Sequence, residues 1–284
     1  MYELKSVTDT SQNCGLEEEK AKSILESIAS LGTHMHAYLF YQIVKRNLNQ
    51  LLEFIYEAQN TIQKIDILEC NRLLFNFADT FYGYINFFES NYKETFESIK
   101  NDLFDNYFEY AFIYKLRNYI IHEDLPIFKL SREVGEGYIK SKFIISKEKL
   151  LLSTRIGSAI KNRISNKFQN TEDIDILPVL LVLQKLIVEI QIKVLAALFD
   201  RLLSAFKNLR GYVLDNEEIY LLKDGEIVNG LLNVLNKYYK CMADNFVYSE
   251  GLLADKTINK IYMDFSYVYF GQKDVIYKPQ KQND

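Results

Sequence analysis

Apolar residues three or four positions apart dominate this chain. From about Glu17 to Glu57, Ile24, Ile28, Leu31, Met35, Tyr38 and Leu39 recur at helical spacing, with Gly32 a candidate break into two helices. The same spacing predicts helices over about 66–100 and 102–121, and no proline precedes Pro126 to interrupt them. Four helix-length segments with short joins fit an up-and-down bundle over 17–128. Residues 1–16 are polar and mixed in charge, the texture of a flexible tail.

After Pro126 the pattern changes. "SREVGEGYIKSKFIIS" carries Gly135 and Gly137 and then alternates with β-branched members, which predicts a turn and a strand in a small hairpin. Helical spacing resumes near Lys147. A long helix follows, capped by Asp173 or Asp175, with Pro178 tolerated in its first turn, running to Asn208 before Gly211. Asp224-Gly225 marks a turn, and a helix is expected over about 226–245. The aromatic end "IYMDFSYVYFGQKDVIY" is β-prone and reads as a strand pair or an extended docking tail. The fold class expected is mainly α, a helical bundle followed by a mixed, mostly helical region over 129–284 that either stands apart or shares the bundle's core.

Composition narrows the function classes. With 48% hydrophobic and 25% charged residues in 284, the chain has the profile of a globular protein with a proper core. A net charge of −4 excludes a broadly basic, nucleic-acid-coating surface but leaves room for a local cationic cleft. Cys14, Cys70 and Cys241 are odd in number and widely spaced, and the N-terminal residues do not resemble a secretory leader, so free thiols in a reducing cytoplasm are expected. The apolar stretch 176–199 is interrupted by Gln184, Lys185, Glu189, Gln191 and Lys193, which favours a buried helix over a membrane span. His34 and His36 are two apart with no ligand cluster around them and are read as surface residues. No glycine-rich phosphate loop, serine elbow or metal-ligand spacing occurs, so kinase, dehydrogenase, hydrolase-triad and zinc-enzyme readings lack support and no cofactor is expected.

Candidate chemistry concentrates in "EYAFIYKLRNYIIHEDLPIF", residues 109–128. At about 100° per residue, Phe104, Phe108, Ala111, Lys115, Asn118 and His122 form one stripe of a helix. Tyr107, Tyr110, Tyr114, Arg117 and Ile121 form a second, roughly a third of a turn away. Arg117 in such an apolar helix must be paired or open into a cleft, because an unpaired buried cation is very costly. Asn118 and His122, four apart, lie close enough to hydrogen-bond. Arg117 and His122 diverge by about 140°, so serving one substrate requires unwinding near His122 or a second subunit. Pro126 disfavours helix at Leu125 and puts the helix end close to His122.

The Arg117-Asn118-Tyr119-Ile120-Ile121-His122 run resembles the signature of the HEPN superfamily, an arginine followed by a polar residue and then a histidine four to six positions on. The aromatic helix running into "LRNY", the histidine and the following "LP" resemble bacterial HEPN-like proteins, as does the upstream helix "CNRLLFNFADTFYGYINFFE". The resemblance covers about residues 65–128 and departs from its relatives at Glu123 and Asp124, acids that would repel phosphate. It implies a dimerising helical bundle and a metal-independent endoribonuclease of a toxin–antitoxin or antiviral system. Implied partners are an RNA substrate, a second copy of the chain and an antitoxin or other defence-system protein, with no membrane. Arg117 and His122 are the implied catalytic pair, with Asn118 assisting and Arg72 and Asn71 as possible supporting residues.

These residue types suit that chemistry. An imidazole, with an ordinary pKa near 6.5, trades protons at neutral pH. A guanidinium holds phosphate oxygens in a bidentate fork and stabilises charge growing in the transition state. Structural readings stay open beside these: Arg117 as a cation paired with Glu109, Asp79 or Glu89, and His122 as a helix-terminal residue bonded to a carbonyl. A non-catalytic helical module binding a protein or nucleotide is the alternative function.

Overall fold

The helical spacing becomes nine helices among the residues that the computed structural model describes, which are 2–6, 13–59, 61, 64–136, 138–213, 218–224, 226–253 and 256–270. In chain order the elements are β1 (Tyr2–Ser6), β2 (Asn13–Leu16), α1 (Glu18–Gln59), α2 (Ile67–Asn91), α3 (Lys93–Asn106), α4 (Phe108–His122), β3 (Ile127–Gly135) and β4 (Tyr138–Ser146). There follow α5 (Lys147–Leu152), α6 (Ser158–Lys167), β5 (Asp173–Asp175), α7 (Leu177–Arg210), β6 (Ile219–Lys223), β7 (Glu226–Gly230), α8 (Leu231–Leu253) and α9 (Lys256–Phe270). The chain is mainly α. It divides into two units, one formed by Leu39–Gln191 and the other by Met1–Tyr38 with Ile192–Asp284, rather than near residue 129. α1 and α7 each contribute to both.

The Leu39–Gln191 unit is built on aromatic packing. Phe77, Phe81, Tyr84 and Phe88 of α2 recur at helical spacing and are fully buried, as are Tyr110 and Phe112 of α4. Phe81 meets Tyr110 edge-on at 5.7 Å, a favoured aromatic geometry. The Asp66 carboxylate caps α2 by accepting from the Leu68 N–H at 2.9 Å. Two expected long helices are each broken. Tyr92 (φ −139°) separates α2 from α3, and Tyr107, in extended backbone, separates α3 from α4. Both are tyrosines inside an apolar pattern without Gly or Pro, so spacing alone carries no sign of the break.

The expected hairpin forms as β3 and β4, paired antiparallel from Lys129↔Ile144 to Gly135↔Tyr138, with a bulge between Ile127 and Lys129. β5 completes the sheet against β4. This region shares the core of α2–α4 rather than forming a separate domain. Phe143 lies 6.1 Å from Phe54, the Ser141 hydroxyl donates to the Ala58 carbonyl at 3.0 Å, and Asn71 clamps Ile127. Asp175, not Asp173, caps α7, accepting from the Leu177 N–H at 3.2 Å.

The other unit corrects several expectations. The supposed tail contributes β1 and β2 to an antiparallel sheet in the order β2-β1-β6-β7, with Leu4 opposite Leu221. Residues 226–230 are strand, and the helix begins only at Leu231. The turn before them is as expected, with Asp224 at φ 52°. Glu218 accepts from the N–H groups of Leu232 and Asn233 at 2.9 and 3.0 Å, capping α8. A side chain at Gly230 would crowd that carboxylate, 2.7 Å from a Cβ there. The aromatic end is helix α9 over Lys256–Phe270 rather than strands, its Ile261, Tyr262 and Phe265 buried, while 271–277 lie outside the described residues. Gly32 does not break α1. His36 is exposed, but His34 is fully buried, its Nδ1 3.2 Å from the Tyr238 hydroxyl. Burial pushes the His34 imidazole down to about 4. Cys70 and Cys241 are buried free thiols, and the Cys14 side chain lies outside the described ones.

Candidate functional site

α4 is buried nearly all round in its first half and opens in its second. Phe108 to Ile113, Leu116 and Tyr119 are buried, whereas Tyr114, Lys115, Arg117 and Asn118 are half-buried and Ile121 and His122 exposed. On an α-helix those six positions span a sector of roughly 160°, and Ile120, also half-buried, lies about 60° beyond its Arg117 end. Arg117 stands at one edge, His122 and Lys115 at the other, and Asn118 between them.

At the Arg117 edge the neighbour is α2. The guanidinium donates from Nε to Asp79 Oδ1 at 3.0 Å, and its Nη2 lies 2.9 Å from the same oxygen. Its Cζ sits 4.4 Å from the centre of the Tyr82 ring, which in turn packs 4.9 Å from Tyr114. Of the three acids offered as structural partners, Asp79 is the one used. Glu109 pairs with Lys167 and Glu89 with Lys100. The Arg117 side chain is 23% exposed and that of Asp79 45%, so the pair is half-solvated and worth only about 0–1 kcal/mol. Burial raises the Tyr114 hydroxyl above the usual tyrosine range, with Glu89 and Tyr82 adding to the effect, so it stays protonated beside the arginine.

At the other edge the helix runs through His122 before the chain leaves at Glu123, whose N–H bonds the Tyr119 carbonyl at 2.9 Å. No unwinding brings His122 round towards Arg117. Within one chain the two stand about 140° apart around the axis and about 7.5 Å along it. The imidazole is exposed, and among the described residues neither it nor Asn118 has a hydrogen bond or ion pair, including with each other.

The two acids after His122 are already engaged. Glu123 Oε1 accepts from the Thr154 N–H at 3.0 Å, the Thr154 hydroxyl at 3.1 Å and the Arg155 N–H at 3.2 Å. Its carboxyl lies below the usual range: desolvation alone would raise it, and hydrogen bonds from Ser153, Thr154 and Arg155 outweigh that. Asp124 pairs with Lys149 at 2.5 Å and accepts from the Leu125 N–H at 2.8 Å, and the Lys149 bond holds its carboxyl low. Their repulsion of a phosphate is therefore partly offset by donors at the same spot.

Asn71 and Arg72 stand apart from these groups. Asn71 is 2% exposed and clamps the start of β3, its amide donating to the Ile127 carbonyl at 2.8 Å and accepting from the Ile127 N–H at 3.0 Å. It holds the chain a few residues past His122. Arg72 forks onto Glu69 of its own helix at 2.7 and 2.5 Å, on the surface. Tyr82, Lys149, Thr154 and Arg155 are contributors that sequence reasoning missed. Nothing in their local pattern marks them, since each gains meaning only from a contact about thirty residues away along the chain.

A cleft of about 940 Å³ lies in the same unit, lined by residues including Phe128, Lys147, Leu151, Leu152, Asn170 and Thr171, and neither Arg117 nor His122 lines it. Lys147 spends its ammonium on the carbonyls of Phe168 and Thr171, at 2.6 and 3.1 Å. Among the described residues no group of three or more His, Cys, Asp or Glu could hold a metal ion, and no helix is long and apolar enough to cross a membrane. Protein-family models, curated proteins and solved structures offer no match to the chain.

Proposed function

We propose that this chain is a metal-independent endoribonuclease acting in the cytoplasm as part of a bacterial toxin or antiviral defence system. One observation carries the reading: an exposed imidazole, His122, ends an aromatic helix that presents Arg117 and Asn118 on the same solvent-open sector. In the proposed reaction His122 takes the proton of an RNA 2′-hydroxyl as its oxygen attacks the adjacent phosphorus. The P–O5′ bond breaks, a proton returns to the departing 5′-oxygen, and the products are a 2′,3′-cyclic phosphate and a 5′-hydroxyl.

Arg117 would stabilise the charge on the phosphoryl oxygens. Its half-exposed pairing with Asp79 is weak enough for a phosphodiester to compete for the guanidinium at small cost. Because one chain's Arg117 and His122 diverge around α4, the reading includes a homodimer in which a second copy completes each site. An antitoxin or other defence protein would hold the activity in check. Asn118 would orient the phosphate or the imidazole.

The Arg117–Asp79 pair also favours a second reading, a non-catalytic helical module binding a protein or nucleotide, in which the arginine only ties α4 to α2. Purified wild type and His122→Ala incubated with total RNA and a chelator separate the two. Cleavage by the wild type and none by the variant is expected. Equal cleavage by both, or by neither, rejects the nuclease assignment.

A further inference from the structure

If RNA is cut at His122, the phosphate there needs a cation, and the nearest arginine of the signature points elsewhere. Arg117 is bound to Asp79 and stacked on Tyr82 at the far edge of the open sector. Lys149 is bound to Asp124. Lys115 shares the His122 stripe but lies seven residues back, about 10 Å along the helix, with its ammonium 5.6 Å from the Tyr114 ring.

The turn after α5 supplies a different cation. Ser153 and Ile156 are buried, at 4% and 2% exposure, and anchor the turn at both sides, leaving Thr154 and Arg155 outside. The Arg155 N–H is shared between Ser153 Oγ at 3.0 Å and Glu123 Oε1 at 3.2 Å. Two more donors from Thr154 reach the same Glu123 oxygen. The Arg155 backbone is thus one hydrogen bond from the residue that follows His122, and neighbouring Cα atoms are only about 3.8 Å apart. The Arg155 residue is exposed, and among the described residues its guanidinium has no hydrogen bond, ion pair or ring contact. A guanidinium on a flexible stem can span the remaining distance and fork onto a phosphate.

We infer that Arg155 is a phosphate-binding residue for a single-stranded RNA lying over the His122 end of α4, with Glu123 serving as the tether that positions its turn. This inference rests on the reading of α4 as an RNA-cleaving site. It assigns Glu123 a constructive part: the acid that departs from the signature orders the loop carrying the cation.

The test is binding of a short single-stranded RNA methylated at every 2′-oxygen, which cannot be cut by 2′-hydroxyl attack, followed by fluorescence anisotropy at several salt concentrations. Arg155→Ala is expected to weaken binding about tenfold and to flatten the slope of log K against log salt by about 0.7. Arg155→Lys should recover most of the affinity. Arg46→Ala, which removes an exposed arginine of α1, should leave affinity and slope at wild-type values. Wild-type binding by Arg155→Ala, an equal loss in Arg46→Ala, or no binding by the wild type overturns the inference. Cleavage of unmodified RNA in chelator is read in parallel. A wild type that binds through Arg155 but never cleaves sinks the nuclease reading alone. Cleavage by the wild type with undiminished binding by Arg155→Ala sinks this inference alone.

Discussion

His34 and His122 are the same side chain on two helices, and their surroundings give them opposite capabilities. His34 is fully buried beside Tyr238, whose ring packs in turn against Phe206 and Phe265. Its Nδ1 meets the Tyr238 hydroxyl, and among the described residues its Nε2 has no hydrogen-bond partner. Desolvation disfavours the imidazolium there, so the ring stays neutral through the physiological range and no substrate can reach it. His122 is exposed at a helix end with no competing partner among the described residues. A buried histidine can specify a core, whereas proton transfer to a ligand needs an accessible one.

That contrast breaks most readily by substitution at the two positions. His122→Ala should cost roughly 10²–10⁴ in the rate of RNA cleavage, the usual weight of a general acid–base group, while leaving the melting temperature within about a degree. His34 should behave in the reverse sense. Its folded pKa of about 4 lies below the ordinary 6.5, so its contribution to stability is full above pH 6.5 and is lost as pH falls towards 4. Converted by linkage, that is about 3 kcal/mol, visible as a stability slope between those pH values that His34→Gln should flatten. A slope that survives the substitution would refer the acid sensitivity to other groups.

Smaller effects sharpen the comparison around His122. Asn71→Ala strips both bonds from the buried Ile127 backbone and should lower stability by about 2–3 kcal/mol in denaturant melts. Asp79→Ala removes a half-exposed pair, so stability should change by less than about 1 kcal/mol. Freed from Asp79, Arg117 should bind RNA at least as well as before in a filter or anisotropy assay. A large loss of RNA binding in Asp79→Ala would mean that the ion pair, rather than the free guanidinium, shapes the site. The smallest effect concerns the tether. With the Glu123 carboxyl lowered in the folded chain, its hold on the 154–155 amides is present above the ordinary carboxylate range and lost as pH falls through its folded pKa. The protection of the Thr154 and Arg155 amides relative to their intrinsic exchange rates should therefore fall at acid pH, and Glu123→Gln should remove most of that pH dependence in protection.

Local spacing made much of the helical framework legible. The stripes of α1, α2 and α7 are periodic over many turns, and Pro126 closes α4 in the right place. The hairpin was readable from Gly135 and Gly137. The β1–β6 pairing was not, because Leu4 meets Leu221 across most of the chain and neither segment carries a pattern of its own. Tyr, Val and Phe favour extended backbone and give the α9 segment a β-prone texture, although Ile261, Tyr262 and Phe265 recur at helical spacing. The core position of His34 is masked for a related reason: Ser27, Ser30 and His34 occupy the buried face of α1, and polar residues there interrupt its apolar stripe. At the candidate site, the order Arg117, Asn118, His122 was visible. The Asp79 partner was one of three acids that fitted, and the tethered Arg155 turn had no local sign.

The central claim is that His122 drives attack by a ribose hydroxyl on its own phosphate, and the ends of the fragments report it most directly. RNA digested by the purified protein in excess chelator should carry 2′,3′-cyclic phosphates and 5′-hydroxyls at every cut, with none of these ends produced by His122→Ala. Fragments bearing 3′-hydroxyls and 5′-phosphates, or cyclic ends undiminished in the variant, would contradict it.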